Sequence, residues 1–184
     1  MSTREICLVL VVAYVLGGSC QQFTMNFKVV HEAIVDCPNK GTDEIRLRMK
    51  LTKLNRTMQL MSGNVSFDVD FDDNVSIRVK LWTWQNGGWK AGSGLDFRKD
   101  RGCSSLLTVL GPVWKELAKA SHMPTKCPFR KGTSYEVAPL DARVWDKLPL
   151  PGAPINKYKL EIECETPDGK TRGCYSSIFR VAKK

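Results

Sequence analysis

The chain is poor in the residues that catalysis most often uses. It has two histidines in 184 residues, His31 and His122, both read as ordinary surface positions. No Gly-x-Ser-x-Gly elbow, His-Glu-x-x-His pair or Gly-rich phosphate loop occurs, so the marks of serine hydrolases, zinc proteases and nucleotide hydrolases are missing. No Cys-x-x-Cys pair is present either, and neither a metal nor a cofactor is expected. No zinc-finger, helix-turn-helix or RNA-binding signature accompanies the basic charge, so nucleic acid is not an expected partner. The apolar run from Ile6 to Leu16 is too short to span a bilayer. An enzyme is therefore not the expectation.

That run has the length of a secretory h-region, with Arg4 before it and Gly17, Gly18 and Ser19 after it, ahead of Cys20. Residues 1–20 are expected to be a cleaved signal peptide and residues 21–184 a single domain. The remaining 164 residues (184 − 20) can bury about two thirds of their unfolded surface. Residues 1–20 carry one base, Arg4, and one acid, Glu5, so the net charge of +9 survives their removal and favours anionic partners. Five cysteines remain, an odd number for an oxidising compartment: Cys37, Cys103, Cys127, Cys164 and Cys174. Three glycosylation sequons begin at Asn55, Asn64 and Asn74.

Alternation dominates the middle of the chain. Ile45, Leu47, Met49 and Leu51 share one face of a strand with Arg46, Arg48 and Lys50 on the other. Val65, Phe67, Val69 and Phe71 repeat this with Asp68, Asp70 and Asp72 outward, and Val75, Ile77, Val79 and Leu81 with Arg78 and Lys80 outward. The outer acidic and basic rows would pair if their strands were neighbours. The Asp68–Asp73 run reads as a solvated strand face before it reads as a calcium site. Asn86-Gly87 closes a tight hairpin that sets Trp84 opposite Trp89, with Trp82 on the same outer side. Outward tryptophans need either a covering loop or a lipid surface to meet. The segment Cys103–Met123 carries the helical signal, with a stripe of Leu106, Leu107, Leu110, Val113, Trp114 and Leu117 that Gly111-Pro112 should kink. Near the C-terminus Tyr158, Leu160, Ile162 and Cys164 face inward against Lys159, Glu161, Glu163 and Glu165, so Cys164 points inside.

The order Cys127-Pro128-Phe129-Arg130-Lys131-Gly132, a Pro-rich corner at 148–152, the turn Pro167-Asp168-Gly169-Lys170 and Gly173-Cys174, together with Ser62-Gly63-Asn64-Val65-Ser66, resembles the ganglioside GM2 activator family of the ML lipid-recognition superfamily. The resemblance covers nearly the whole mature chain. It implies an all-β, antiparallel β-cup or sandwich with one kinked helical flap. It pairs Cys37 with Cys174 and Cys103 with Cys127, leaving Cys164 free, and places a glycan on Asn64; Asn55 and Asn74 are sequons only. Two further disulfides of that family have no cysteines here, which implies a looser flap.

It also implies a cup for acyl chains, a lipid or glycolipid ligand, an extracellular or lysosomal setting, and delivery to a lysosomal glycosidase. The lining is then expected from the inward rows: Leu47, Met49 and Leu51; Phe67, Val69 and Phe71; Ile77 and Val79; Leu106, Leu110, Trp114 and Leu117; and Tyr158, Leu160, Ile162 and Cys164. An apolar loop at Met58, Leu60 and Met61, with Trp82, Trp84 and Trp89, is expected at the rim against an anionic membrane surface. Two other functions stay open: a chemosensory or pheromone carrier, like arthropod relatives of that family, and an immune or structural recognition protein with a packed interior.

Overall fold

The computed structural model describes residues 27–91, 96–148 and 154–184. Residues 1–20, expected to be a signal peptide, and most of the Pro-rich corner, 149–153, lie outside the described residues. The strands are β1 Phe27–Val35, β2 Ile45–Lys53, β3 Gln59–Phe67, β4 Ser76–Gln85, β5 Gly88–Lys90, β6 Phe97–Lys99, β7 Thr133–Asp141, β8 Asn156–Glu165 and β9 Thr171–Lys183. Two helices, α1 Gly102–Leu110 and α2 Pro112–Ser121, stand between β6 and β7, and a 3-10 turn, Ala142–Lys147, comes after β7. All strand pairings are antiparallel. The large sheet runs β1-β9-β8-β4-β5 with β6 also on β4, and the small sheet runs β2-β3-β7. The architecture is an all-β sandwich with a helical flap.

The helical stretch divides at Gly111-Pro112, and Pro112 starts a second helical piece as the sequence predicts. Gly111 takes a positive φ of 48°, and its N–H donates to the Leu107 carbonyl as the cap of α1. Pro112 then opens α2, where its missing N–H costs nothing. At the hairpin, Asn86 (φ 50°) and Gly87 (φ 76°) give the two left-handed residues of a type I′ turn.

The expected strand through Phe71 stops earlier, because β3 ends at Phe67. Phe71 makes a single bridge to Phe129, and the aspartates of this segment are drawn to different partners. Asp68 pairs with Arg46, Asp70 accepts from the Lys131 N–H (2.7 Å), and Asp73 accepts from both the N–H and the hydroxyl of Ser104 (2.8 Å each) in the first turn of α1. The basic row of β4 does not meet these acids. Its neighbour is β8, so Lys80 reaches Glu163 (2.8 Å) and Glu161 (3.4 Å), and Arg78 reaches Glu165 (3.1 Å). Glu161 and Glu163 are buried on this outer face rather than solvated.

The two sheets are fastened by backbone bonds along a seam between the start of β2 and β9. The Thr42 N–H donates to the Thr171 carbonyl (3.0 Å), the Glu44 N–H to the Arg172 carbonyl (2.7 Å), and Arg172 pairs with the Glu44 carboxylate (2.7 Å). The disulfide Cys37–Cys174 lies beside it, and closing its separation of 137 residues stabilises the fold by about 5 kcal/mol in the chain-entropy view. At Gly173 the backbones approach so closely that a Cβ would stand 2.0 Å from the Ile45 carbonyl oxygen. Gly173→Ala should therefore destabilise by roughly 3 kcal/mol or more, since rigid backbone must move to admit one carbon. Gly88→Ala, which meets nothing within 4 Å, should stay within about 0.5 kcal/mol of the parent. Urea titration of the two variants checks the contrast.

Candidate functional site

The inward rows of both sheets begin in a tightly packed end and finish in a looser one. At the packed end Phe67, Phe71 and Phe129 stack with centroids 5.3 to 6.2 Å apart, and Trp114 meets Phe129 edge-on at 5.5 Å. Ile45, Ile77, Cys103, Val137 and Cys164 complete this cluster, drawn from both sheets and α1. The disulfide Cys103–Cys127 ties the start of α1 to it. Cys164, the free cysteine, is buried here, and burial pushes its thiol up to about 12, so it stays protonated and inert.

Toward the other end the layers are linked through the 3-10 turn, where Trp145 meets His31 and Asp146 accepts from the Val29 N–H. A second cluster of Leu81, Tyr158 and Val181, with Phe27, Leu160 and Phe179 against it, is built from strands of the large sheet alone. The inward side chains Leu47, Met49, Leu51, Val79, Leu160 and Ile162 are only half-buried, as are Leu106, Leu110 and Leu117 on the helices; Leu47, Met49 and the three helical leucines pack against the first cluster and Leu160 against the second. Val109 is 40% exposed, so the flap itself carries apolar surface in contact with water.

A cleft of about 680 Å³ opens at this looser end, between the edge strand β1, the tip of the β2–β3 hairpin and the 3-10 turn. The inward row of β2 runs into it: Ile45, Leu47, Met49 and Leu51 are followed by Lys53, which lines the cleft. Its floor includes Val29 and His31 of β1. His31 is 6% exposed, with neither ring nitrogen hydrogen-bonded among the described residues, and its ring meets Trp145 edge-on at 5.4 Å. Burial lowers its pKa from 6.5 to about 4, so the imidazole is neutral at pH 7. His31 is thus a correction to the surface reading; His122 is exposed and caps α2 in a left-handed conformation.

The outer face of β4 carries the tryptophans. Trp84 lies opposite Trp89 in register, with ring centroids 5.1 Å apart. Lys159 sits 4.0 Å over the Trp82 ring and Lys157 5.7 Å over that of Trp84. Trp84 is 42% exposed. By strand register it shares the looser end with two further exposed residues, Leu54 at the hairpin tip (55%) and Ile155 just before β8 (52%).

Several expected site residues lie elsewhere. Phe67, Phe71, Ile77, Trp114 and Cys164 are sealed in the packed cluster and have no free surface to offer a ligand, while Val69, partly buried, packs against it. Tyr158 is closed in the second cluster, its hydroxyl donating to the Pro154 carbonyl (2.7 Å). The apolar rim loop is not a loop: Leu60 and Met61 belong to β3, and Met61 is 2% exposed on the inward row opposite Leu51. Only Met58 of the three lines the cleft. Leu54, just past the end of β2 and 55% exposed, is an apolar residue at this end that a reading of the inward rows does not single out. Of the sequons, Asn55 accepts from the Thr57 and Met58 N–H groups, Asn64 donates to the Ser134 hydroxyl (2.9 Å) across β3 and β7, and Asn74 donates to Asp72 (3.0 Å).

No protein-family profile matches the chain, and no curated protein matches it. Among solved structures it is similar to a Niemann-Pick type C2 protein from the Japanese carpenter ant, at 10% identity and a TM-score of 0.37, covering 80% of this chain and 97% of that one. It is also similar to the E. coli curli protein CsgC, at 7% identity and a TM-score of 0.24, covering 65% and 86%. Neither likeness is deep enough to place the chain in a family.

The buried imidazole makes stability depend on pH. Its folded pKa lies below its unfolded one, so its share of stability is full above about pH 6.5 and is lost as pH falls toward 4, about 3 kcal/mol in all. His31→Phe should remove most of that slope, visible as a melting temperature that falls less between pH 7 and pH 4 than in the parent.

Proposed function

We propose that this protein binds the acyl chains of a lipid between its two sheets and carries it through an extracellular or lysosomal compartment. The observation that supports the reading is the half-buried state of the inward rows. Leu47, Met49, Leu51, Val79 and Ile162 lie on the inward rows yet keep free surface, while Ile45, Ile77 and Cys164 on the same rows are buried. Apolar surface left open inside a sandwich is a place for apolar ligand, each buried methylene contributing about 0.8 kcal/mol. A recognition protein with a packed interior would not leave those rows open. Two disulfides suit an oxidising compartment.

A membrane is the natural source of the lipid. Leu54, Trp84 and Ile155 stand exposed at the looser end, flanked by Lys53 and Lys157, on a chain of net charge +9. Amphipathic tryptophan with lysine beside it suits an anionic bilayer surface. The same space would serve a chemosensory carrier, but a carrier of volatile ligands has no use for a membrane-facing end, which favours transfer. Delivery to a lysosomal glycosidase has no surface feature of its own here and forms no part of the proposal.

Filling the interior tests the reading. Met49→Trp and Ile162→Trp should each lower uptake of a fluorescent phospholipid at least tenfold while the melting temperature stays within a few degrees, since the ring would occupy space that the ligand uses. In a packed interior the same ring would cost about 1 to 3 kcal/mol of stability by overpacking, and that result would remove the proposal. Trp82→Ala with Trp84→Ala should slow extraction from anionic vesicles but leave uptake of detergent-dispersed lipid unchanged.

A further inference from the structure

The charges around the cleft are not balanced. Its acids are all engaged: Asp141 with Arg143 (2.8 Å), Glu32 with Arg180 (3.1 Å) and Lys157 (2.7 Å), and Asp146 with the Val29 N–H (2.7 Å) and Lys184 (3.9 Å). Three cations that line the same cleft, Lys28, Lys53 and Arg56, have no carboxylate partner among the described residues. In the cleft's lining the His31 ring is buried with neither nitrogen hydrogen-bonded among the described residues, an orphaned polar group of the kind that a ligand's oxygen or hydroxyl would satisfy. A cleft with surplus cations at its lip and an unmet polar group in its floor is built to receive an anion.

The position of Lys53 gives that anion its attachment. It ends the same inward row whose earlier members, Leu47, Met49 and Leu51, border the space proposed for the acyl chains. A ligand lying along the row would therefore be apolar for most of its length and anionic at the cleft.

We infer that the cleft holds the anionic head group, a phosphate, carboxylate or sulfate, of an amphiphile whose tail enters between the sheets, with Lys28, Lys53 and Arg56 as its cations and His31 beneath it. This rests on the lipid-binding reading above and adds the class of lipid. The three cations are exposed, so replacing them leaves packing alone.

The test compares lysophosphatidic acid with lysophosphatidylcholine of the same tail, and with inorganic phosphate, by calorimetric titration of the mature protein and of the Lys28→Gln, Lys53→Gln, Arg56→Gln triple variant. The parent should bind the acid at least tenfold more tightly than the choline lipid. The triple variant should lose that preference while keeping its affinity for the choline lipid and its melting temperature. Equal affinity of the parent for the two lipids would overturn the head-group site and leave lipid binding standing. Failure of either lipid to bind would overturn the reading beneath it. Tight, cation-dependent binding of inorganic phosphate without preference between the lipids would mark the cleft as a site for free anion, contradicting the proposal that it serves a lipid. Lys53→Glu is a second variant, expected to reverse the preference.

Discussion

Everything in this sandwich hangs on the seam where β9 passes the start of β2. There the backbone of Gly173 lies against the Ile45 carbonyl, and a Cβ built on Gly41 would fall 1.9 Å from the Thr171 oxygen. Two interstrand amide bonds, the Arg172–Glu44 pair and the Cys37–Cys174 disulfide hold the sheets in that contact. The Phe67–Phe71–Phe129 stack fills the part next to the seam, while at the wide end, where the cleft opens, the layers are linked through the 3-10 turn by the His31–Trp145 ring contact and the Val29 N–H on Asp146.

The wide end bears features that a protein selected only for stability would avoid. It displays Leu54, Trp84 and Ile155 to water and keeps His31 buried without a hydrogen-bond partner among the described residues. An orphaned buried polar group costs on the order of 1 to 3 kcal/mol, and exposed apolar patches invite association. Both costs are offset if a ligand and a membrane meet this end in use. The inert Cys164 thiol and the saturated aspartates of the 68–73 segment, by contrast, belong to the fold: Asp70 and Asp73 are held below the ordinary carboxylate range chiefly by the N–H groups of Lys131 and Ser104.

Much of the fold could be read from alternation. The rows of β2, β4 and β8, the Asn86-Gly87 hairpin with its Trp84–Trp89 pair and the helical stripe all come from local pattern and turn chemistry, and the family resemblance supplied both cysteine pairs. β1 is harder to see, because a bulge between His31 and Ala33 shifts its alternation midway and leaves apolar residues on both faces. That is also why His31 passes for a surface residue. The extent of β3 is obscured at both ends, by Gln59 and Gly63 in its first half and by Val69 and Phe71 continuing its pattern past its end. Which inward residues are sealed is a property of the distance between sheets, and no local pattern encodes it. The surplus of cations at the cleft is equally hidden, since it arises from separate stretches of chain brought together.

The most direct test of the account is native mass spectrometry of the protein isolated from its own source without detergent. A lipid-filled interior predicts species heavier than the polypeptide by the mass of a lipid, released by collisional activation and identified as acidic amphiphiles. A single species at the bare polypeptide mass, from protein that also fails to take up lipid from anionic vesicles, would contradict the claim that the space between the sheets is a binding site.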